Sequence, residues 1–295
     1  MIKKYLFIFC CASFVLLNEQ DTIIKIRLGD KPFQTKIDNK SVIPNTRVEE
    51  LYITDYDIKG IKFKSKNYVP KPVTENDIII IDTNKGVMKF NFYNNEAPNH
   101  CNNFKKLANS NFYDGTLFHM LIPRFLVQGG DILSRDSDPD NDGTGGPGWI
   151  IKEEFNSNTH KRGILSMSRS RNDINSAGSQ FFITLVDAPH LDSEYTVFGY
   201  LIEGDEVLRR IEKTTSDHDI AMRMSVLNIP ENGNEEDWIE IINPLNNEVR
   251  YSKVPENFNK NTYKEEMQNR INNIYKPGSP IIIDSIRVIK KENEK

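Results

Sequence analysis

The sequence predicts a mainly β fold, a closed antiparallel barrel of about eight strands capped by two α-helices. Three observations carry that prediction. Short runs rich in β-branched and aromatic residues recur between Ile78 and Leu201. Only two stretches between Ile78 and Thr214 repeat their apolar residues at helical spacing. A long apolar run, Ile281–Ile289, stands near the end of the chain, where a barrel needs its closing strand.

In chain order, Lys3 and Lys4 precede an apolar stretch, Tyr5–Leu17, and no acidic residue occurs before Glu19. A basic start with a short apolar run reads as a secretory signal over residues 1–18. The stretch is too short to span a bilayer, which takes about 20 apolar residues. A membrane anchor, or lipid attachment at Cys10 or Cys11, is the alternative. Either way the expected location is secreted or periplasmic, or the secretory pathway in a eukaryote. Residues 19–74 form an N-terminal extension with two alternating stretches, Thr22–Leu28 and Ile61–Lys64, that suggest strands. Pro70 and Pro72 mark a break before the main domain.

Ile78–Ile81 and Val87–Phe92 read as two strands joined by a turn at Asn84–Gly86. Pro98 opens a helix at the first-turn position that tolerates it, with Phe104, Leu107 and Ala108 as its buried stripe. Strands follow at 117–122, 125–128, 163–167, 180–185 and 196–201. A second helix runs from Asp205 to about Thr214, with Val207, Leu208 and Ile211 inward. Residues 216–278 are polar, with a hairpin near Pro244–Glu248 and a helix over Tyr263–Asn273. Because Ile281–Ile289 comes after them, they read as an insertion, and the main domain is 75–215 plus 279–290.

At 38% hydrophobic and 10% aromatic residues, the 295-residue chain has material for a packed core. Its 27% charged residues nearly balance, with net charge −4, so it lacks the basic face of a nucleic-acid binder. If the leader is removed, Cys101 is alone, so no internal disulfide is possible. Within a helical pattern it reads as a small buried hydrophobe.

Residues 117–200 carry the chemistry. Leu117–Asp131, Gly143–Gly146, Glu154–Phe155, Gly163–Met167, Gly178–Ile183, His190–Asp192 and Val197–Gly199 follow one another in an order that resembles the cyclophilins. The resemblance covers about 75–215 and the last strand, and implies a peptidyl-prolyl cis–trans isomerase. Rotating an X-Pro bond costs about 18–20 kcal/mol in lost amide resonance. A catalyst needs an apolar grip on the proline ring and donors aimed at the twisted amide, but neither metal nor covalent intermediate. No cofactor is expected, and the implied partners are proline-containing polypeptides, with the chain a monomer.

Residue by residue, the resemblance places Phe125, Leu126, Phe182 and Leu191 in the proline pocket, with the amides of Gln128 and Gln180 beside it. His119, Ser168 and Arg169 line the path of the substrate. His190 stands where some members carry tryptophan and Tyr195 where some carry histidine. Loss of that tryptophan implies weak binding of cyclosporin. One departure concerns the chemistry itself: Met120 occupies the position of the arginine that the family places beside the twisted amide nitrogen. Methionine is apolar and donates nothing. The implied catalytic set is Met120, Phe125, Gln128, Phe182 and Tyr195, with turnover reduced. A proline-peptide-binding chaperone or scaffold is the alternative. Arg124 and Arg169 are the cations near enough in sequence to substitute.

Overall fold

The computed structural model describes residues 54–136, 138–256 and 258–291, and the backbone of two strands ahead of them. Those strands, β1 (Ile23–Arg27) and β2 (Arg47–Leu51), pair in parallel. Lys3–Leu17 lies outside the described residues.

Helix α1 (Asp55–Asn67) starts at a capping box. The Thr54 hydroxyl accepts from the Asp57 N–H at 3.3 Å, and the Asp57 carboxylate accepts from the Thr54 N–H at 3.1 Å. This corrects the expected strand at Ile61–Lys64. Four alternating residues cannot distinguish a period of 2 from one of 3.6. Over the longer window Ile58, Ile61 and Ser65 share one helical face, and Ile58 and Ser65 are buried there.

The main domain runs β3 (Asp77–Thr83), β4 (Gly86–Phe92), α2 (Pro98–Asn109), β5 (Thr116–Leu117), β6 (Met120–Ile122), β7 (Leu126–Gly129), β8 (Ile164–Met167), β9 (Phe181–Thr184), β10 (Val197–Glu203) and α3 (Asp205–Glu212). The insertion adds α4 (Asp217–Arg223), β11 (Ser225–Val226), β12 (Trp238–Ile242), β13 (Val249–Lys253) and α5 (Lys260–Asn272), and β14 (Ile282–Lys290) ends the fold. Nine strands form one antiparallel sheet in the order β5-β14-β3-β4-β10-β8-β9-β7-β6. Its end strands, β5 and β6, are separated in sequence only by Phe118 and His119, so the sheet must curl until its ends meet. Among the described residues no ladder joins them. The Phe118 N–H continues the β5–β14 pairing to the Ile281 carbonyl (2.9 Å), and the Leu121 N–H of β6 donates to the Tyr275 carbonyl (2.7 Å), so residues 275–281 link the two end strands. The break at Phe118-His119 splits one expected strand in two, which gives nine rather than eight.

Helix α2 fills one end of the curl. Pro98 is in its first turn, and Phe104 meets Tyr113, Phe181 and Phe198 at ring distances of 5.2, 5.4 and 5.1 Å. Each such buried aromatic contributes roughly 1.5–3 kcal/mol. Cys101 shares that face, and burial pushes its thiol well above the ordinary range, so it packs as a hydrophobe. Strand β14 pairs with β3 along its length and buries Ile283, Ile286 and Val288. Helices α2 and α3 are the two expected caps. The other three helices lie in the N-terminal extension and the insertion.

The insertion has a small core of its own, in which Ala221, Tyr263, Met267 and Ile271 of α4 and α5 pack on Ile239 and Ile241 of β12. Its two ends meet at a neck, where the Gly278 N–H donates to the Thr215 carbonyl at 2.8 Å and Ser216 bridges Pro277.

Candidate active site

Strand register builds the site. Met120 on β6 lies opposite Gln128 on β7, and Gln128 lies opposite Phe182 on β9. Directly paired residues project to the same face of a sheet, so these three form one row. Leu126, two residues before Gln128, joins that face. The turn Pro189–Leu191 brings Leu191 over it. Leu126, Phe182, Ala188 and Leu191 form an apolar cluster separate from the main core, bordered by Ile122, Phe125 and Tyr195. Phe182 is 2% exposed. Tyr195 meets it edge-on at 5.4 Å and 85°, while Phe125 stacks on His190 at 5.2 Å and 22°.

A polar margin runs along the other side. Gln128 Nε2 donates to Gln180 Oε1 at 2.9 Å, and Gln180 Nε2 donates to the Gly143 and Gly145 carbonyls, both at 2.8 Å. Asp131 holds the same loop from beneath, accepting from the Gly143 and Gly145 N–H groups at 2.5 and 3.0 Å. A Cβ at residue 145 would sit 1.9 Å from Asp131 Oδ1, so only glycine allows this clamp. The Ser168 N–H donates to the Gln180 carbonyl at 2.9 Å. His119 is buried beside the loop. Burial lowers its pKa against the pull of Asp131, which keeps the imidazole neutral.

Several supports of the site carry no signal in the sequence. His160 lies behind the pocket floor, with its ring stacked on Phe182 at 5.9 Å and 17°. Its Nδ1 is 2.8 Å from Asp192 Oδ1 and its Nε2 is 3.0 Å from Ser166 Oγ. The His160 carbonyl accepts from the Ala188 N–H, so this residue ties Phe182 to the turn that carries Leu191. Burial lowers the pKa of His160, against Asp192. Ser166 and His160 are buried and Asp192 is partly exposed, and the three brace the back of Phe182. Asp192 was visible inside a motif, whereas His160 falls in an irregular stretch with no periodic or motif cue.

A family model described as cyclophilin type peptidyl-prolyl cis-trans isomerase/CLD matches residues 78–229. The chain belongs to the cyclophilin family. A peptidyl-prolyl cis-trans isomerase of Synechococcus elongatus is 45% identical over 130 residues, 44% of this chain and 83% of that protein. The Bacillus subtilis isomerase B is 43% identical over 135 residues, 45% of this chain and 87% of that protein. A crystal structure of a Cryptosporidium parvum cyclophilin in the presence of the dipeptide Ala-Pro superposes with a TM-score of 0.49 at 28% identity, covering 72% of this chain and 99% of that one. The chain is an enzyme of the peptidyl-prolyl cis–trans isomerase class.

Within this cyclophilin the two candidate replacement cations differ from Met120 in placement. Arg124 is exposed, at the left-handed position (φ 60) of the turn between β6 and β7. Arg169 is tied down. Its Nε and Nη2 donate to the carbonyl and carboxylate of Glu194, both at 2.9 Å, and its Nη1 to the Ser170 and Arg171 carbonyls. Its guanidinium lies 4.8 Å over the Tyr195 ring. Arg169 therefore braces Tyr195, and four of its five N–H groups are spent doing so.

Proposed function

We propose that this cyclophilin isomerises X-Pro bonds in exported or unfolded polypeptides, with turnover held down by Met120. The observation that carries the binding half is the apolar cluster of Leu126, Phe182 and Leu191, flanked by Phe125 and Tyr195, with the Gln128–Gln180 amides at its edge. A proline ring buried there leaves the preceding carbonyl free to turn beside the polar margin. Met120 supports slow turnover: it lies in the same row as Gln128 and Phe182 and offers no donor, while Arg169 is committed elsewhere. The basic-apolar start of the chain supports export. With His190 in place of an indole donor, cyclosporin binds weakly.

The test is a titration with an Ala-Pro peptide. Removing a buried aromatic anchor typically costs a few kcal/mol of binding, so Phe182→Ala should weaken affinity by about two orders of magnitude. The exposed Glu206→Ala on α3 should leave it unchanged. Phe182→Leu, which keeps the cluster filled, separates loss of the ring from loss of the fold. Equal affinities for all four proteins would place proline binding on another face. Tight binding with no measurable isomerisation would favour a peptide-holding chaperone instead.

A further inference from the structure

Helix α1 presents two opposite stripes. Ile58, Ile61 and Ser65 face the barrel, and the Ser110 hydroxyl donates to Ser65 Oγ at 2.7 Å. On the far side Tyr56, Gly60, Phe63 and Asn67 follow at i, i+4, i+7 and i+11. Tyr56 is 84% exposed and Phe63 72%, and Val69 beyond the helix end is 86% exposed. Successive residues turn by about 100°, which sets Lys59 and Lys66 along one border of this aromatic stripe and Lys64 along the other. Lys62 and Lys71 extend the charge. None of these five lysines pairs with a carboxylate among the described residues. The chain as a whole is net negative, so this lysine cluster runs against its overall charge.

Two exposed aromatics bordered by lysines that have no carboxylate partner among the described residues, on a helix whose other face is fixed to a folded domain, match the chemistry of a membrane interface. Aromatic rings favour the headgroup level, and lysines there meet anionic lipid while their stems remain on apolar surface. We propose that the outer face of α1 docks this protein on an anionic lipid surface, with Tyr56 and Phe63 entering the headgroup layer. The fit rests on charge complementarity with the lysines. No helix among the described residues is long and apolar enough to cross a membrane, and α1 would lie on the surface rather than span it.

The experiment places a tryptophan at the aromatic stripe of the full chain, Phe63→Trp, and measures its quenching by vesicles of brominated phosphatidylglycerol or brominated phosphatidylcholine. The wild-type signal, from two native tryptophans, is subtracted. We expect strong quenching in phosphatidylglycerol at low salt, little in phosphatidylcholine, and release as salt is raised. Each lysine near the surface is worth about fivefold in partitioning. Adding Lys59→Glu, Lys64→Glu and Lys66→Glu should then lower the phosphatidylglycerol partition at least about tenfold, with isomerase activity unchanged. Equal quenching in both lipids would overturn the proposal, since attachment would then follow from an apolar segment alone. An absence of quenching in phosphatidylglycerol would overturn it as well. So would a shielded, blue-shifted tryptophan before lipid is added, which would show the face covered by the chain's own first fifty-odd residues or by a second copy.

Discussion

Replacing Met120 with arginine should convert this protein into a faster isomerase. Residue 120 lies in the row that continues through Gln128 to Phe182, so its side chain borders the apolar cluster proposed to hold the proline. A single preorganised donor is typically worth 10²–10³ in rate, about 2.7–4 kcal/mol. Part of that is lost here. Position 120 is half-buried, and a guanidinium must give up some hydration to occupy it. Gln128, directly across, spends one amide hydrogen on Gln180 and keeps its own carbonyl oxygen as an acceptor, which offsets some of the loss. The net expectation is a gain of roughly 10–100-fold, or about 1.4–2.7 kcal/mol of barrier. It should appear in kcat, because a bond to the amide nitrogen strengthens only as resonance is lost and the nitrogen becomes pyramidal. Peptide Kd should move by less than about threefold.

The assay is kcat/KM on a short Ala-Pro peptide for wild type, Met120→Arg, Arg124→Ala and Arg169→Ala. Arg124→Ala should be silent. Arg169→Ala should loosen Tyr195, which it covers, and raise KM more than it lowers kcat. A wild type already fast, and unaltered by all three substitutions, would refute the donor-dependent account.

Three further outcomes follow from the geometry. Deleting residues 279–295 removes β14 and exposes the edges of β3 and β5, so the product should be insoluble; a soluble, cooperatively unfolding truncation would show that the sheet closes without it. Replacing 216–278 with a short Gly/Ser linker should leave a cooperative thermal transition, because the chain leaves and re-enters the barrel at one point, where the Gly278 N–H lies 2.8 Å from the Thr215 carbonyl, and a short linker can span that gap. Loss of the Tyr275 carbonyl leaves the Leu121 N–H unpaired at a cost of about 1 kcal/mol, and collapse of the transition would mean that the insertion is part of the domain's core. Asp142 should make stability pH-dependent. Burial, with Asp131, Asp136 and Asp138, pushes its pKa up to about 6 against the pull of Lys276 at 3.8 Å. The folded state then holds a proton that the unfolded state releases near 3.9. Stability from this group is present at pH 4 and is lost as pH rises through 6, by about 1–3 kcal/mol. Melting temperatures between pH 4 and 8 should show this slope, Asp142→Asn should flatten it, and Lys276→Met should move its midpoint upward. Identical profiles for wild type and Asp142→Asn would remove Asp142 as the cause.

Most of the sheet was legible because its strands are short apolar runs bounded by turn residues, and Ile78–Ile81 and Gln180–Leu185 admit little else. The N-terminal helix was not. Its inward face is only Ile58, Ile61 and Ser65, too sparse to outweigh the local alternation of Ile61–Lys64, and the capping box at Thr54 and Asp57 is the signal that decides it. The pocket residues stood within contiguous motifs. What braces them depends on contacts between residues far apart in the chain. His160 reaches Phe182 and Asp192, and Arg169 reaches Glu194 and Tyr195, across separations that local pattern does not encode. Arg169 shows the cost of reading a charge from sequence. A cation beside the site looks like a donor for substrate until its hydrogen bonds are counted.

The same geometry explains how a methionine can stand at residue 120 while Phe182, Leu126, Leu191 and Gln180 keep the pattern of the resemblance. Phe182, Leu126 and Leu191 are constrained twice on the proposed reading, since they would hold the proline and they form a buried cluster whose loss would cost about 3–5 kcal/mol for the phenylalanine alone. Gln180 ties the Gly143–Gly145 loop in place, so it too is needed for the fold. The side chain of residue 120 carries no such structural duty. Its strand is held by backbone pairing with β7, and the seam beside it by the Leu121 N–H, whichever side chain stands there. On the proposed reading an arginine at that point would serve the reaction alone, so the exchange between methionine and arginine should leave the fold unchanged. It follows that Met120→Arg should shift the melting temperature by no more than a few degrees, as expected for about 1 kcal/mol or less. A large drop would mean that methionine packs the pocket wall, and that the neighbouring side chains have adjusted to it.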